Sequence, residues 1–238
     1  MKITVGVIFV ALYVILAILP MSTFIGAGGV SSLLSFAVCI APLFGIVLGS
    51  VRGFAYGFIA GILATIVLIP INGGGVYLII PPTIVGPGIA GLFTGLLLKG
   101  KAKFGPLLTA GYLIIIILLF EVYKFEAWWF MLPYMLAAGI AIILQFFNLR
   151  FDPGRTGIYR YLQFIPFTFV GAMLDHSMMA MGSVFLLDLP ALGLFSFATI
   201  FPVMILERLV ATILAALVGF IIFRYFGDVI GIGANPEI

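Results

Sequence analysis

Apolar positions in this chain come in long unbroken runs, and the polar ones gather between them. Eight runs stand out, near 3–20, 31–49, 53–71, 82–98, 106–124, 127–147, 160–181 and 198–226. Each is about the 20 residues that an α-helix needs to cross a bilayer. None alternates with a period of two, as the roughly ten-residue strands of a membrane β-barrel would. The pattern predicts an all-α, polytopic transmembrane bundle of about eight spans in a single domain, 1–238. Pro81, Pro82, Pro87 and Pro166 are the residues that could break the spans at 82–98 and 160–181.

Composition narrows the class. The chain has 64% hydrophobic and 8% charged residues, with a mean hydropathy of +1.37. Soluble domains carry about 25% charged residues, so this chain lacks the charge to cover a water-facing surface. A soluble enzyme, a disordered chain and a disulfide scaffold are excluded. The single cysteine, Cys39, leaves no intramolecular disulfide possible.

The basic residues then orient the bundle. With the N-terminus in the cytoplasm, Lys2, Arg52, Lys99, Lys101, Lys103, Arg150, Arg155, Arg160 and Arg224 all fall inside. Those are nine of the eleven Lys and Arg, leaving Lys124 and Arg208. The outer side collects Glu121, Glu126, Asp175, Asp188 and Glu207. Both termini are therefore expected in the cytoplasm. The net charge of +3 reads as positive-inside topology, because the basic residues sit in separate loops and form no continuous stripe for nucleic acid. The apolar start reads as a retained first helix, since Ile25 fits a signal-peptide cleavage site after Ala27 poorly.

Small residues form a ladder. Ala37, Ala41, Gly45, Gly49, Gly53, Gly57 and Gly61 recur every four residues. Gly91 and Gly95 repeat the spacing, as do Ala211, Ala215 and Gly219. This spacing makes smooth faces on which helix backbones approach closely in lipid. Such faces serve either tight packing within the bundle or docking of another membrane subunit.

Ionisable groups at membrane depth are costly and mark candidate sites. Asp175, Glu121, Glu207 and Arg208 are all expected in the outer third of the bilayer. Arg208 is the one arginine at that depth, and the three acids are its possible partners. They form either a structural ion pair or an outward-open polar pocket. Acids suit a cation and Arg208 an anion; a zwitterion would satisfy both. Two outer loops are candidate lids: Ser22–Gly29, and the Gly-rich 72–77 with Asn72 and Tyr77 at its ends. Trp128 and Trp129 suit an interfacial aromatic belt.

Other chemistries find little support. Met173, Asp175, His176, Met178, Met179 and Met181 include soft donors, but their spacing is loose and methionine is a routine filler in bundles. One histidine cannot make a HExxH zinc site, and no GxSxG marks a hydrolase. No metal, no cofactor and no catalytic residue is expected. Gly95–Lys101 matches the start of a phosphate-binding loop, but Ala102 stands where a Ser or Thr must hold magnesium. Any ATP-driven role therefore requires separate subunits.

The stretch Ala41–Gly61 (APLFGIVLGSVRGFAYGFIAG) resembles the second-to-third helix region of S components of energy-coupling factor (ECF) transporters. Pro82–Gly100 (PTIVGPGIAGLFTGLLLKG) is similar to their fourth helix with its basic end. The last helix, with an acid near its outer end and small residues below, also fits. The resemblance implies a substrate-capture subunit for a vitamin or similar micronutrient. Its partners would be a transmembrane T subunit and two cytoplasmic ATPases in a prokaryotic cytoplasmic membrane. It implies caps at Ser22–Gly29 and Asn72–Tyr77, and a T-subunit contact on smooth faces of the first three helices. The family usually has six helices, so 106–147 reads as an inserted hairpin. Its AxxxA pattern in helix one is absent, Ala11 and Ala17 being six apart, and Lys2 stands where cobalt and nickel members carry histidine.

The expected site is thus Asn72, Tyr77, Asp175, His176, Glu207 and Arg208, with Ala37, Ala41, Gly45, Gly49, Gly57 and Gly61 as the partner interface. Two alternatives stand beside it. One is a stand-alone proton-coupled secondary transporter, although no convincing internal repeat is found. The other is a non-transporting membrane assembly subunit whose buried charges are structural only.

Overall fold

A computed structural model describes residues 2–25, 31–72, 80–98, 104–147, 157–185 and 194–230. Nine helices are found among them. They are α1 (Lys2–Ile18), α2 (Ala41–Leu48), α3 (Ser50–Asn72), α4 (Ile80–Leu98), α5 (Gly105–Lys124), α6 (Leu132–Phe146), α7 (Gly157–Leu162), α8 (Phe164–Phe185) and α9 (Leu194–Ile230). Four stretches are long and apolar enough to cross a membrane: Ser50–Pro70, Gly105–Phe146, Phe164–Gly182 and Phe201–Tyr225. Three shorter apolar helices cover Ile3–Ile18, Phe36–Leu48 and Ile84–Leu98. The chain is a helical membrane protein by this measure.

The expected second span is the main departure. Residues 31–49 do not form one continuous helix. Strand β2 (Ser31–Ser35) pairs antiparallel with β1 (Pro20–Ile25), and a 3-10 turn at Phe36–Cys39 leads into the eight residues of α2. The part of the expected Ser22–Gly29 loop that is described, 22–25, is therefore strand. Pro42 sits in the first turn of α2, where its missing N–H costs nothing. Gly49 ends α2 with φ 84° and ψ 173°, a conformation closed to side chains with a Cβ. The chain then restarts at once as α3. All eight residues of α2 are buried, so this short helix is the axis around which the longer ones pack. Phe44, fully buried, meets the rings of Phe9 and Tyr13 on α1, each at 6.0 Å.

The prolines interrupt less than expected. Pro87 lies inside α4 and Pro202 inside α9, and both helices continue through them. Pro166 falls in the first turn of α8, where proline is tolerated. The expected span at 160–181 is instead split at Gln163 between α7 and α8. Residues 105–146 form two helices, with a 3-10 segment at Phe125–Met131 whose Ala127 leaves helical geometry (φ −105°, ψ 27°). Phe120 and Phe130 stack across that turn at 5.7 Å. The two helices α5 and α6 pack against each other.

The glycine ladder lies between α2, α3 and α4. A Cβ added at Gly57 would stand 2.4 Å from the Pro87 carbonyl oxygen, and one at Gly61 would stand 2.4 Å from that of Ile84. One at Gly53 would be 2.8 Å from the Gly45 Cα, and Gly45 itself abuts Gly91, Thr94 and Gly95. Backbone meets backbone along the whole seam. Thr94 seals it, its hydroxyl donating to the carbonyls of Ala90 (2.6 Å) and Pro42 (3.0 Å). The expectation of an open docking face at Ala37, Ala41, Gly45, Gly57 and Gly61 is thereby corrected: all five are buried inside this chain. Gly49 is half-buried and serves as the break between α2 and α3. With little hydrophobic drive between helices in lipid, close backbone approach is what holds such a seam, and here it is met within one chain.

Candidate functional site

Polar groups gather where α8 and α9 cross. The two helices run antiparallel: Phe164 packs on Phe223 at 5.2 Å, and Thr168 Oγ1 donates to the Thr212 carbonyl at 3.2 Å. Further along, Asp175 of α8 faces Arg208 of α9, with Oδ2 and Nη1 3.7 Å apart. Arg208 is only 2% exposed and is among the largest fully enclosed side chains. Its main-chain carbonyl accepts the Thr212 hydroxyl at 2.6 Å. The pairing selects Asp175 from the three acids the sequence offered.

The other helices complete the enclosure. Gly86 of α4 lies against Asp175, where an added Cβ would be 2.9 Å from Oδ1 and 3.0 Å from the main-chain oxygen. Only a residue without a side chain lets α4 approach the carboxylate this closely. His176, next along α8, is buried and hydrogen-bonded through Nδ1 to the Tyr134 hydroxyl of α6. Ser177 donates to the Leu174 carbonyl at 2.6 Å, so the Tyr112 hydroxyl of α5 donates to Ser177 Oγ at 2.8 Å. Three consecutive residues of α8 thus face three directions: Asp175 to α9, His176 to α6, Ser177 to α5. The Arg208 charge lies close enough to act on Glu207, Tyr13, Cys39, Tyr134 and His176 as well.

The hydrogen bonds of Arg208 are incomplete. Its Nε and Nη1 are buried and find no acceptor among the described residues. At 3.7 Å, Asp175 supplies charge but not a hydrogen bond, which needs about 2.7–2.9 Å between charged partners. Buried donors left unmet are rare and call for an explanation. Asp175, for its part, keeps 14% of its side chain accessible, although Met173, Leu174 and Ser177 beside it are fully buried.

Of the six expected site residues, the structure pairs Asp175 with Arg208, while His176, next along α8, is held by Tyr134 instead. Glu207 is buried on α9 beside Arg208 and has an interaction of its own. Asn72 is the last residue of α3, and its side chain and all of Tyr77 lie outside the described residues. Glu121 stands apart on α5, both carboxylate oxygens buried and without a hydrogen-bond partner among the described residues. Sequence reasoning passed over Tyr112, Tyr134, Ser177 and Gly86. Tyr112 and Tyr134 were visible as hydroxyl-bearing rings in otherwise apolar helices, where a buried tyrosine usually finds a partner. Nothing in the sequence marked Gly86 apart from the other glycines of α4. Among the described residues, no three His, Cys, Asp or Glu side chains come together as a metal-holding group. No protein-family model, curated protein or solved structure matches the chain.

Proposed function

We propose that the chain is the membrane-embedded substrate-capture subunit of an ECF-type importer for a vitamin or similar micronutrient. Substrate would be taken from outside at the Asp175–Arg208 site. Release inward would be driven by two cytoplasmic ATPases, coupled through a transmembrane T subunit. The observation that carries this reading is Arg208, an arginine enclosed in a membrane bundle with two buried N–H-bearing atoms unmet by the described residues. A purely structural ion pair would gain most by satisfying those donors within the chain. A ligand with acceptor oxygens satisfies them instead. The proposed role is binding and translocation, not catalysis.

The topology that goes with it has eight passes and cytoplasmic termini in a prokaryotic cytoplasmic membrane. The distribution of Lys and Arg supports that orientation. The count depends on the Phe36–Leu48 segment, too short for a full span, returning the chain to the inner side. Purification from host membranes in a mild non-ionic detergent tests the assignment. A T-type membrane protein and two ATPases should accompany the chain, and uptake in reconstituted vesicles should require ATP. A stoichiometric complex with a different membrane machine and no ATPase would sink it.

One observation favours a second reading. The glycine ladder is consumed between α2, α3 and α4, which removes the surface that argued most directly for a T subunit. A stand-alone transporter coupled to protons through Asp175 needs no such surface. Uptake that collapses with an ionophore and persists without ATP would select it.

A further inference from the structure

We infer that the interior site takes a compact zwitterion, with its oxyanion on Arg208 and its cationic donor on Asp175. The inference rests on the proposal above that the chain captures a small molecule, and it names the class. Arg208 contributes Nε and Nη1, both enclosed and without acceptors among the described residues. These donors ask for oxygens carrying negative charge, as a carboxylate or phosphate does. Asp175 contributes the complement. Its Oδ2 stands 3.7 Å from Nη1, too far to be spent on a hydrogen bond to it.

Asp175 keeps 14% of its side chain exposed, while its neighbours Met173, Leu174 and Ser177 are fully buried and His176 nearly so. Gly86 closes the Oδ1 side, where no more than a hydrogen atom fits. The Arg208 Nε and Nη1 are enclosed with no open space against them, so a ligand's oxyanion reaches them only as the surrounding side chains give way. Charge then decides the ligand. Glu207, buried beside Arg208, has an interaction of its own; Asp175 and Arg208 together are neutral, and a lone anion bound to Arg208 would stand beside the Asp175 carboxylate. A lone cation on Asp175 would stand beside the guanidinium. In a low-dielectric interior each of those leaves one uncompensated charge, whereas a zwitterion leaves none. Two sources offer this chemistry: a free amphoteric solute such as an amino acid or betaine, and the head group of a phosphatidylethanolamine.

Two measurements on the full chain test this. The first is native mass spectrometry of the protein purified in dodecyl maltoside from its own host's membranes, with fragmentation of whatever it releases. The expected result is a bound molecule carrying both an oxyanion and a cationic nitrogen. The second is thermal unfolding in phosphatidylglycerol nanodiscs, with the free amino acids, betaine, acetate or methylammonium added at millimolar concentration. At least one zwitterion should raise the midpoint, with acetate and methylammonium at least about tenfold weaker. Arg208→Lys keeps the charge but loses the Nε donor, and Asp175→Asn keeps the shape; each should weaken the response about tenfold or more. A rise produced only by adding phosphatidylethanolamine to the nanodisc assigns the site to a lipid head group. A released ligand lacking either charge overturns the inference, as does stabilisation by acetate or methylammonium equal to that by a zwitterion. So does a response untouched in both variants, or no bound molecule together with no shift. If a variant does not fold, the wild-type arms still decide. Zwitterion binding without associated ATPases would fail the importer and keep the site. ATP-driven uptake of a non-zwitterion would keep the importer and fail the site.

Discussion

At the scale of single residues, this protein is governed by how close two backbones come. Gly57 shows it most directly. Any side chain there meets the Pro87 carbonyl, which belongs to a helix backbone and cannot rotate away. Gly57→Ala is expected to lower stability by roughly 1–3 kcal/mol, as overpacking does elsewhere. Gly111 is the control, because nothing lies within 4 Å of a Cβ placed there. Gly111→Ala should be neutral or stabilising by up to about 1 kcal/mol through helix propensity. Thermal unfolding of the two variants in the same detergent checks the contrast, and equal effects would mean that the α3–α4 seam is looser than described. Tyr134→Phe probes the polar side. It removes the hydroxyl and leaves His176 Nδ1 buried without its partner, at an expected cost of about 1–3 kcal/mol. A variant as stable as the parent would show that His176 does not depend on Tyr134.

At the scale of elements, the sequence was clear where apolar runs are uniform and opaque where they are broken by geometry. The stretches now seen as α3, α5, α8 and α9 were legible from length and hydropathy alone. The ladder from Ala37 to Gly61 was legible too, but not its partner. Four-residue spacing defines a smooth face and says nothing of what covers it, and α4 supplied the answer with Gly91, Gly95 and the Pro87–Gly88 peptide. Residues 31–49 read as a span because Leu33, Leu34 and the run from Phe36 to Leu48 are apolar whether they form strand, turn or short helix. Hydropathy does not register the positive φ of Gly49. Of the site, Asp175, His176 and Arg208 announced themselves as ionisable groups in apolar runs. Tyr112, Tyr134 and Gly86 did not, because aromatic rings and glycines are ordinary in such helices. The break at Gly49 carries its own expectation. Gly49→Ala puts a Cβ into a positive-φ conformation that is essentially glycine's alone, at a cost of roughly 1–3 kcal/mol, which should appear as a lower unfolding midpoint. An unchanged midpoint would mean that α2 and α3 can join without the break.

At the scale of the whole molecule, the open question is how the elements stand in the bilayer, and the α5–α6 pair tests it well. Its lipid-facing positions are already exposed: Phe125 at the turn is 71% exposed, and Phe147 just beyond α6 is also 71% exposed. Substitution at either costs little packing. A 20-residue helix spans about 30 Å, the thickness of the hydrocarbon core, so α5 is long enough to cross it. The 15 residues of α6 span about 22 Å, and with the 3-10 segment Phe125–Met131 before it the chain is long enough to return by residue 147. The proposed orientation then puts 125 outside and 147 at the inner surface. Native Cys39 is 4% exposed and should stay silent toward a membrane-impermeant maleimide in the folded protein. Phe125→Cys should label in intact cells or right-side-out vesicles, and Phe147→Cys only after permeabilisation. The reverse pattern would invert the bundle and turn the Asp175–Arg208 site toward the cytoplasm, where capture from outside fails. Labelling of both positions from one side would show that α5 and α6 enter and leave by the same face. The span count would then fall by two, and the hairpin would be an appendage to the α1–α4, α8 and α9 core.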